Sequence, residues 1–531
     1  MIIVSGVVTN LHDDISVSVD KATKMLNINS KLVEDSFVIK TSIDARHRKE
    51  PQFVSSIGFV TTIDEEKLVK KCNSKNITFR KTHKSLPDFK YGEKNLTNRP
   101  IIAGFGPAGM FAGLVLAQNG YSPIIIERGE DVDKRVGSVE SFWKSGVLNI
   151  KSNVQFGEGG AGTFSDGKLT TRINDPLCDY VLDEFVKFGA PNEIIKKAKP
   201  HIGTDNLRSI VKEIKKEIIN LGGEVLTNTQ LTDICLKNGK LEGVRVNGNS
   251  VPCSCLFLAI GHSARDTFEM LMQKSLIFEA KPFSMGVRIE HLQSDINEGL
   301  YGKYAGHPML SQGEYQLSLR KNDRAVYTFC MCPGGVVVPS SSEQDTVVTN
   351  GMSEYARDRK NANSALVVSV SPKDFGENPR DAIEFQRKYE RAGFKAGGEN
   401  YSAPAQSVGC FLKQKVGLEI NRIEPSYALG VKPCDFNAIF PSYVSGMIRD
   451  GLISFGGRIR KFDADDAVLT GIETRTSSPV RILRDDNHEA VSAEGIYPCG
   501  EGAGYAGGIM SAAVDGIKTA IKFMQKYKPL N

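Results

Sequence analysis

The segment Ile101-Ile102-Ala103-Gly104-Phe105-Gly106-Pro107-Ala108-Gly109 sets the architecture expected for this 531-residue chain. A short apolar run leads into three glycines with the spacing G-x-G-x-x-G, and a mostly apolar segment, Met110 to Gln118, follows. Glycines at these positions let a backbone approach a pyrophosphate, and the amides and dipole at a helix start attract that anion. The segment therefore predicts a strand, a tight turn and a helix that bind the diphosphate of a dinucleotide.

A second strand and an acidic residue complete this pattern. The apolar run Ile124-Ile125-Ile126 ends in Glu127 and Arg128, at the distance from the glycines where a carboxylate reaches the ribose of a bound dinucleotide. Gly113 allows close contact between the helix and the strand. Similar glycines occur in plain surface turns, but the strand, helix and acid around them favour a nucleotide site.

Length and composition indicate a globular protein of several domains. At 531 residues the chain exceeds the size of one hydrophobic core, so we expect two or three domains. The first residues lack the basic and apolar regions of a signal peptide. No run of about 20 residues is free of polar or helix-breaking residues. We therefore expect a cytoplasmic protein without a membrane partner.

Ten cysteines are too sparse for a disulfide scaffold, and no C-x-x-C motif is present. The sequence therefore predicts neither a zinc ribbon nor another metal site. Cys253 and Cys255 precede the apolar run Leu256 to Ile260 and are expected to fill a hydrophobic core.

Residues 1–95 are expected to form a small α+β domain. Strands are predicted around Phe37 to Lys40 and Phe53 to Val60, and a helix over Glu65 to Cys72. Residues 86–100, rich in Lys, Asn, Gly and Pro, form the predicted linker to the nucleotide-binding domain.

The net charge of +5 lies within this N-terminal part, because basic and acidic residues balance over residues 100–531. We interpret the excess as a solvated helix face and linker. Contact with RNA or an acidic partner is the alternative. The basic group surrounds His83 and consists of Lys67, Lys70, Lys71, Lys75, Arg80, Lys81 and Lys84.

A second glycine-rich segment runs from Phe156 to Leu169. Glycines at this density expose bare amides and permit a flat or anionic ligand to come close, while small polar side chains hydrogen-bond to it. A mobile surface loop is the alternative. The residues predicted to contact the ligand are Gly160, Thr163, Phe164, Ser165, Asp166, Gly167, Lys168 and Leu169.

The following segments predict a helix and an antiparallel meander. The helix runs from Leu207 to Leu221, with Thr204 or Asp205 as its N-cap. The meander strands are predicted at 224–226, 230–234 and 243–246, and a returning strand at 256–260 ends at Gly261.

A closing motif lies near the C-terminus, Tyr497-Pro498-Cys499-Gly500-Glu501-Gly502-Ala503-Gly504-Tyr505-Ala506-Gly507-Gly508. With this motif, the order of features resembles the glutathione-reductase-like FAD superfamily. Within that superfamily the chain is similar to uncharacterised bacterial FAD-dependent dehydrogenases of the single flavin-binding domain type. The segments carrying this similarity are Ser42 to Arg46, Phe283 to His291, Thr328 to Gly334, Ala403 to Gln406 and Glu473 to Arg481.

The resemblance implies an α/β fold with a three-layer, FAD-binding Rossmann-like domain. It also implies an inserted α+β substrate or cap domain and the small N-terminal α+β domain. The implied boundaries are 1–95 for the N-terminal domain, 96–275 and 491–531 for the FAD-binding domain, and 276–490 for the cap.

The resemblance also implies noncovalently bound FAD. Glu501 would lie at its ribityl and pyrophosphate portion. Backbone near Gly507, Gly508 and Ile509 would lie at the flavin ring, where the last helix, Ser511 to Met524, begins. Further cofactor contacts are implied at Leu231, Ala259, Gly261 and Gly500.

Two absences narrow the class of flavoprotein. No second G-x-G-x-x-G follows a strand between residues 200 and 490, so a separate NAD(P)H domain is not expected. No cysteine pair lies between Gly146 and Gly167, where disulfide reductases of this superfamily carry their redox disulfide. One flavin-binding domain with a large insertion is therefore expected.

The predicted catalytic residues lie in this insertion. Arg288 and His291 belong to one alternating segment, in which Ile289 and His291 face one way and Arg288 and Glu290 the other. His291 is a candidate general acid or base, and Arg288 a candidate hydrogen-bond donor to the flavin or substrate.

Two further pairs in the insertion have alternative interpretations. Cys330 and Cys332 are expected to share one face of a strand, either as a redox dithiol beside the flavin or as buried apolar side chains. Arg475 and Arg481 either form a clamp for a carboxylate or anchor the cap by salt bridges.

These observations predict an FAD-dependent oxidoreductase, of the dehydrogenase or reductase type, that transfers hydride between FAD and a small-molecule substrate. NADH or NADPH is a candidate electron donor, and no nucleic-acid partner is expected. The alternatives are an RNA-modifying flavoprotein, in which the basic N-terminal part grips RNA, and a flavin-binding sensor without catalytic turnover.

Overall fold

The computed structural model describes residues 1–46, 50–80 and 86–530. Lys81, His83 and Lys84 of the basic group lie outside the described residues. Within the described ranges, no helix combines the length and the apolar character needed to cross a bilayer.

The N-terminal part is a four-stranded antiparallel sheet with two helices. Its elements are β1 (Ile2–Asn10), α1 (Ile15–Leu26), β2 (Val33–Asp44), β3 (Gln52–Thr61), α2 (Glu65–Cys72) and β4 (Ile77–Phe79). The strand order is β2-β3-β1-β4. The helix α2 has the predicted bounds, because Asp64 accepts a hydrogen bond from the Lys67 N–H (3.1 Å) and Asn73 ends the helix in the left-handed conformation.

Two members of the basic group form ion pairs. Lys67 lies 3.1 Å from Asp64, and Arg80 pairs with Asp179 of the next part of the chain. These contacts offset part of the positive charge of the group.

The nucleotide-binding part follows residue 86 and mixes parallel and antiparallel strands. Its strands are β5 (Ile101–Ala103), β6 (Ile124–Ile126), β7 (Glu224–Leu226), β8 (Leu231–Lys237), β9 (Lys240–Val246), β10 (Asn249–Pro252), β11 (Leu256–Leu258) and β12 (Phe278–Ala280). Its helices are α3 (Pro107–Gln118), α4 (Val132–Ser145), α5 (Leu177–Lys187), α6 (Thr204–Asn220) and α7 (Arg265–Gln273).

The inserted part, which we call the cap, has ten strands: β13 (Phe283–Leu292), β14 (Ser318–Lys321), β15 (Arg324–Cys332), β16 (Val336–Pro339), β17 (Thr349–Met352), β18 (Asn361–Val370), β19 (Ala403–Ser407), β20 (Val431–Pro433), β21 (Val468–Glu473) and β22 (Val480–Ile482). Seven of them form a mixed sheet in the order β14-β15-β18-β13-β21-β19-β20, β16 pairs with β17, and β22 pairs with β12. Its helices are α8 (Gln293–Tyr301), α9 (Pro372–Phe375), α10 (Pro379–Ala396), α11 (Val408–Leu412), α12 (Phe436–Ile439) and α13 (Ser442–Gly456). The chain then returns as β23 (Ile496–Pro498) and α14 (Ile509–Met524).

A five-stranded parallel sheet, in the order β23-β11-β5-β6-β7, centres on the glycine motif. Ile102, Phe257 and Tyr497 point into a core shared with α3, α6 and α14. Their neighbours Ile101 and Leu258 point to the opposite core, shared with the meander β8-β9-β10. Because alternate residues serve different cores, helices, sheet and meander form three stacked layers.

The structure corrects two details predicted from the sequence. Residues 224–226 belong to the edge of the parallel sheet rather than to the meander, because β7 pairs in parallel with β6. The N-cap of α6 is Gly203, because the Thr204 hydroxyl donates to the Thr163 carbonyl (2.5 Å) and Asp205 accepts from the Tyr355 N–H (2.9 Å). Both predicted capping residues, Thr204 and Asp205, therefore use their side chains for contacts with distant segments and do not cap the helix.

The cap connects to the nucleotide-binding part through the two-stranded sheet β12-β22 and a buried ionic cluster. Glu390 of α10 accepts two hydrogen bonds from Arg265 of α7 (2.7 and 2.8 Å) and two from Arg475 (3.1 and 3.2 Å). All three side chains are almost completely buried. The arginines hold the pKa of Glu390 well below its usual range, against the opposing effect of burial, so the carboxylate stays ionised.

Candidate functional site

A cavity of about 1280 Å³ lies between the carboxyl ends of β5, β6, β11 and β23 and the cap. Ligands of open α/β sheets bind at this edge of the strands. The cavity is lined by many of the predicted cofactor contacts: Gly104, Gly106, Pro107, Ala108, Glu127, Arg128, Gly160, Ser165, Asp166, Lys168, Leu231, Ala259, Gly261, Glu501, Gly507, Gly508 and Ile509.

The other predicted cofactor contacts support the wall of the cavity without lining it. Thr163, Phe164 and Leu169 are buried. A Cβ on Gly109 would lie 2.0 Å from the Gly104 carbonyl oxygen, so this glycine serves close packing of the helix on the turn. The predicted contacts absent from the lining are Phe105, Gly109, Thr163, Phe164, Gly167, Leu169 and Gly500.

Backbone forms the wall around the glycine turn. Gly104 has a φ of +103°, and a Cβ there would lie 2.3 Å from the Ala259 carbonyl oxygen. A Cβ on Gly160 would lie 2.9 Å from the Cα of Gly106. The first-turn amides of α3 have no side-chain cap at Gly106, and amides in that position have no intrahelical acceptor. The turn therefore presents bare backbone and free N–H groups to a ligand.

Glu127 ties three segments of this wall together. Its carboxylate accepts hydrogen bonds from the N–H groups of Phe105 (2.9 Å), Gly129 (3.0 Å) and Gly157 (2.9 Å). A carboxylate has about four acceptor positions. One position therefore remains for a hydroxyl of a ligand in the cavity.

Arg135 holds the glycine-rich loop from behind. Its fully buried guanidinium donates to the carbonyls of Asn153 (2.9 Å), Val154 (3.0 Å), Gly157 (3.2 Å) and Glu158 (2.7 Å). Burial lowers the pKa of Arg135 to about 10, against the favourable charges of Glu127 and Glu158. These four bonds fix the backbone of the loop.

The end of that loop is tied to the cap. Arg357 forms a two-pronged pair with Asp166, including an Nε–Oδ1 contact of 3.0 Å. Lys168 reaches the carbonyl of Met331 and lies 3.8 Å from Asp166. Asp166 and Lys168 therefore line the cavity while already contacting each other and the cap.

The closing motif forms the wall opposite the glycine turn. Asp515 of α14 accepts from the Gly500 N–H (2.7 Å) and pairs with Arg484 (2.6 Å), which fixes the position of Glu501. Burial raises the pKa of Glu501 to about 7, partly offset by Lys281. The first turn of α14 lines the cavity and has no side-chain cap at Gly508. Its amides and helix dipole therefore face the cavity.

Arg288 lies under the cap wall and does not line the cavity. Its guanidinium is fully buried and pairs with Glu473 (3.1 Å), the Cys330 carbonyl (3.0 Å) and Asn363 (2.9 Å). Glu473 and Cys330 do line the cavity. The charge of Glu473 raises the pKa of Arg288 above its ordinary value, against burial. Arg288 thus acts as a support for the cap wall rather than as a contact for the ligand.

The structure places His291 away from the cavity. As the alternation of β13 predicted, His291 points opposite Arg288, and it packs against Phe462 with its Nε2 2.7 Å from the Phe462 carbonyl oxygen. Burial lowers its pKa to about 4, so the imidazole is neutral. This position does not support a role for His291 as a general acid or base, because the ring does not reach the cavity.

Cys330 and Cys332 line the cavity but occupy different environments. The ladder between β15 and β18 is irregular between Phe329 and Cys332, and Cys330 has a φ of +42°. The regular strand assumed for the predicted common face is therefore interrupted, and the two residues differ in exposure: Cys330 is exposed towards the cavity, whereas Cys332 is buried. Withdrawal from bulk water inside the cavity raises the pKa of the Cys330 thiol to about 12, so the thiol stays protonated at neutral pH.

The two arginines near the end of the cap act as anchors. Arg475 binds Glu390 and the hydroxyl of Ser263 (3.0 Å), and it joins the cap to the nucleotide-binding part. Arg481 lies 3.9 Å from Glu279 across the β12-β22 pair. Both arginines also line the cavity, and their separate partners favour the anchoring alternative over a carboxylate clamp.

His262 and Lys281 are among the lining residues that the sequence analysis missed. Burial and the nearby charges of Arg475 and Arg265 lower the pKa of His262 to about 3, so its imidazole is neutral. A ring nitrogen, Nδ1, lies 3.0 Å from the Ser263 hydroxyl. The available signal was the position of His262 after β11, at the ligand-binding edge of the parallel sheet.

Known proteins resemble the chain in sequence and structure. Residues 282–476 match the family described as "FAD-dependent protein, C-terminal domain-like". An uncharacterized protein of Clostridium beijerinckii is 49% identical over 527 residues, which cover 99% of this chain and 98% of the relative.

Three solved structures have a low overall likeness to the chain. CtdE in complex with FAD is 13% identical, with 80% of this chain and 86% of that chain covered and a TM-score of 0.30. Glycine oxidase from Bacillus cereus is 12% identical, with 81% and 94% covered and a TM-score of 0.30. L-Amino acid deaminase from Proteus vulgaris is 11% identical, with 84% and 98% covered and a TM-score of 0.33.

Scores this low assign no activity to the chain. The sequence relative is far closer and spans both proteins almost completely. The chain therefore belongs to the family of the Clostridium beijerinckii protein, and its residues 282–476 match the C-terminal domain-like region of FAD-dependent proteins.

Proposed function

We propose that this protein is an FAD-dependent oxidoreductase that transfers hydride between noncovalently bound FAD and a small-molecule substrate. The observation that carries the proposal is a single cavity that joins the glycine turn at Gly104 to the cap wall at Cys330. A cofactor bound at the turn and a substrate bound beside the cap would therefore share one space. The match of residues 282–476 to FAD-dependent proteins supports the same cofactor.

The cavity fits FAD in size and in chemistry. Its volume of about 1280 Å³ exceeds the roughly 300–1,000 Å³ of most small-molecule sites, which leaves room for a dinucleotide and a second ligand. The turn at Gly104 and Gly106 offers bare backbone where a diphosphate needs close approach. The acceptor position left on Glu127 suits a ribose hydroxyl.

The chain's own groups would bind and orient the cofactor. The first-turn amides of α3 would hold its diphosphate and Glu127 its ribose. Glu501 would bind the ribityl hydroxyls next to the diphosphate. The amides at the start of α14 would stabilise negative charge on the reduced ring. When bound, FAD supplies the site for hydride gain or loss.

The cap would provide the substrate side of the cavity. Gln316, Tyr327 and Cys330 line this side, and Arg172 lies in the same lining as an exposed cation. The Tyr327 hydroxyl is held by Ser284 at 2.7 Å, so its ring has a defined position. These mostly neutral, hydrogen-bonding groups suit a small polar substrate.

Flavin binding and reduction test the proposal directly. We expect the purified protein, mixed with FAD and then desalted, to retain one flavin per chain and to show flavin absorption. Anaerobic addition of NADH, NADPH or small acids and amines should identify a donor that bleaches this absorption. A protein that shows no saturable FAD binding would overturn the proposal. A bound flavin that no donor reduces would favour the sensor alternative instead.

A further inference from the structure

Lys281 lies at the place where the chain crosses from the nucleotide-binding part into the cap. The crossing consists of β12 and β22, which pair antiparallel with Glu279 opposite Arg481. Lys281 follows β12 directly, and its N–H donates to the Pro479 carbonyl (2.8 Å). Its backbone position is therefore set by the junction between the two parts.

Lys281 and Glu501 line the same cavity without touching each other or another charged group. Among the described residues, neither side chain has a hydrogen bond or an ion pair, although both are partly withdrawn from bulk water. Burial lowers the pKa of Lys281 and raises that of Glu501, and each charge partly offsets the effect on the other. Unpaired ionisable groups in a cavity are costly and mark binding sites.

The space beside these two groups adjoins the glycine turn. A Cβ on Gly502, next to Glu501, would lie 2.5 Å from the Gly261 carbonyl oxygen. A Cβ on Gly500, on the other side of Glu501, would lie 2.6 Å from the Cβ of Ala108 in the first turn of α3. The residues on both sides of Glu501 therefore pack against the helix of the glycine turn and the segment after β11. A diphosphate bound at the turn would lie beside Glu501, in the cavity that Lys281 also lines.

A second cation lies close to this space. A Cβ on Gly504 would lie 2.9 Å from the Cα of Arg481, and the Arg481 guanidinium lies 5.3 Å from the Tyr505 ring centroid. The Nε of Arg481 is buried and has no hydrogen-bond partner. Two cations from the crossing strands and one carboxylate match a ligand that combines an anionic diphosphate with hydroxyl groups.

We propose that Lys281 binds the diphosphate of the cofactor from the cap side, so that cofactor binding ties the cap to the nucleotide-binding part. This inference rests on the proposed function, because the diphosphate is that of FAD. It gives the cap a share in holding the cofactor, in addition to covering the substrate.

Lys281→Gln tests the contact. We expect its FAD dissociation constant, measured by quenching of flavin fluorescence, to rise about 10- to 100-fold, as is typical for loss of a charge-assisted hydrogen bond. Lys281→Arg should retain most of the affinity. Lys274→Gln is the matched control, because Lys274 pairs with Asp233 at 2.9 Å and does not line the cavity. Thermal unfolding without FAD should show that all three variants are folded.

The wild-type protein offers a second measurement that needs no substitution. FAD should slow hydrogen exchange at the amides of β12 and β22, because the cofactor joins the crossing to the glycine turn. The inference is overturned if wild-type protein binds FAD but Lys281→Gln binds it equally well, or if FAD leaves exchange in these strands unchanged. If wild-type protein binds no FAD at all, the proposed function itself fails.

Discussion

The two sides of the cavity are built from different materials. On the nucleotide side, backbone forms the surface: Gly104, Gly106 and Gly160 come close together because none carries a side chain. On the cap side, side chains form the surface, and buried ion pairs such as Arg288–Glu473 support them. The nucleotide side therefore depends on a few short motifs, whereas the cap side depends on contacts between residues far apart in the chain.

This difference has a consequence for how each side tolerates change. A backbone surface fails where an added side chain would overlap neighbouring backbone, as at Gly104 and Gly160. A surface held by buried ion pairs fails when one partner is removed, because the other charge is left buried and unpaired. Substitutions on the two sides should therefore lower different quantities, cofactor affinity on one and stability on the other.

The largest effect is expected from Glu390→Gln, on the cap side of the comparison. The change leaves the buried Arg265 and Arg475 to share one partly exposed carboxylate, that of Glu343 at 2.5 and 4.0 Å. The free energy of unfolding should therefore fall by about 3–5 kcal/mol. Urea denaturation measures this loss. Glu384→Gln, on the same helix but with a largely exposed side chain, should cost less than about 1 kcal/mol. Equal losses in the two variants would contradict the assigned role of the cluster.

Gly104→Ala tests the nucleotide side. The added methyl would meet the Ala259 carbonyl oxygen at 2.3 Å, at a φ of +103°. Strain and overlap together should cost about 3 kcal/mol, or roughly 100-fold in FAD affinity. Gly137→Ala is the control, because a Cβ there in α4 meets nothing within 4 Å, and it should bind FAD normally. Unchanged FAD affinity in Gly104→Ala would show that the turn does not hold the cofactor.

His291→Gln tests how the stability of the cap core depends on pH. The pKa of His291 is about 4 in the folded protein, against an ordinary value of 6.5. The unfolded chain therefore binds the proton first, and the folded state loses stability as pH falls from about 6.5 towards 4.

At pH 5 the difference between the variant and the wild-type protein should reach about 2 kcal/mol relative to pH 7. Urea unfolding at the two pH values measures it. His307→Gln, with a partly exposed ring at the surface, is the control. A wild-type pH dependence retained in His291→Gln would rule out this source of acid sensitivity.

The smallest effect is expected for Glu501→Gln, on the nucleotide side. The pKa of Glu501 is about 7, and a nearby diphosphate should raise it further. FAD binding then takes up a proton, so the affinity should weaken by up to about tenfold as pH rises from 6 to 8.

The Gln variant should lose this pH dependence, which titration of FAD at the two pH values detects. Glu494→Gln removes a carboxylate from the surface, where it pairs with Lys94 at 2.9 Å, and it should keep the wild-type profile. If Glu501→Gln keeps that profile too, Glu501 does not face the diphosphate.

The predictability of the site follows the same division. Most of the residues predicted from the glycine motifs line the cavity, because such motifs describe a local backbone shape that neighbours in sequence produce together. The candidates in the cap fared differently. The alternation of β13 was correct, but it does not say which face meets the cavity, and neither Arg288 nor His291 reaches it.

Cys330 and Cys332 show that the alternation of residues along a strand does not predict where the strand is interrupted. An unbroken strand would place them on one face, yet the irregularity before Cys332 separates their environments. Such a bulge in β15 depends on its pairing with β18, and the alternation of apolar residues in β15 does not reveal it. Lys281 was missed for a similar reason, since nothing in the residues around it indicates that it faces the cavity.

The amino-acid pattern alone was enough to place a diphosphate-type turn, its strands and helices and its acidic residue, because those features arise from residues close together in the chain. The assembly of the chain settled which cap side chains line the cavity and which support it. Those roles depend on contacts such as Arg288 with Glu473 and Arg265 with Glu390, whose partners are more than a hundred residues apart. Local periodicity carries no information about such distant pairs, and only packing brings them together.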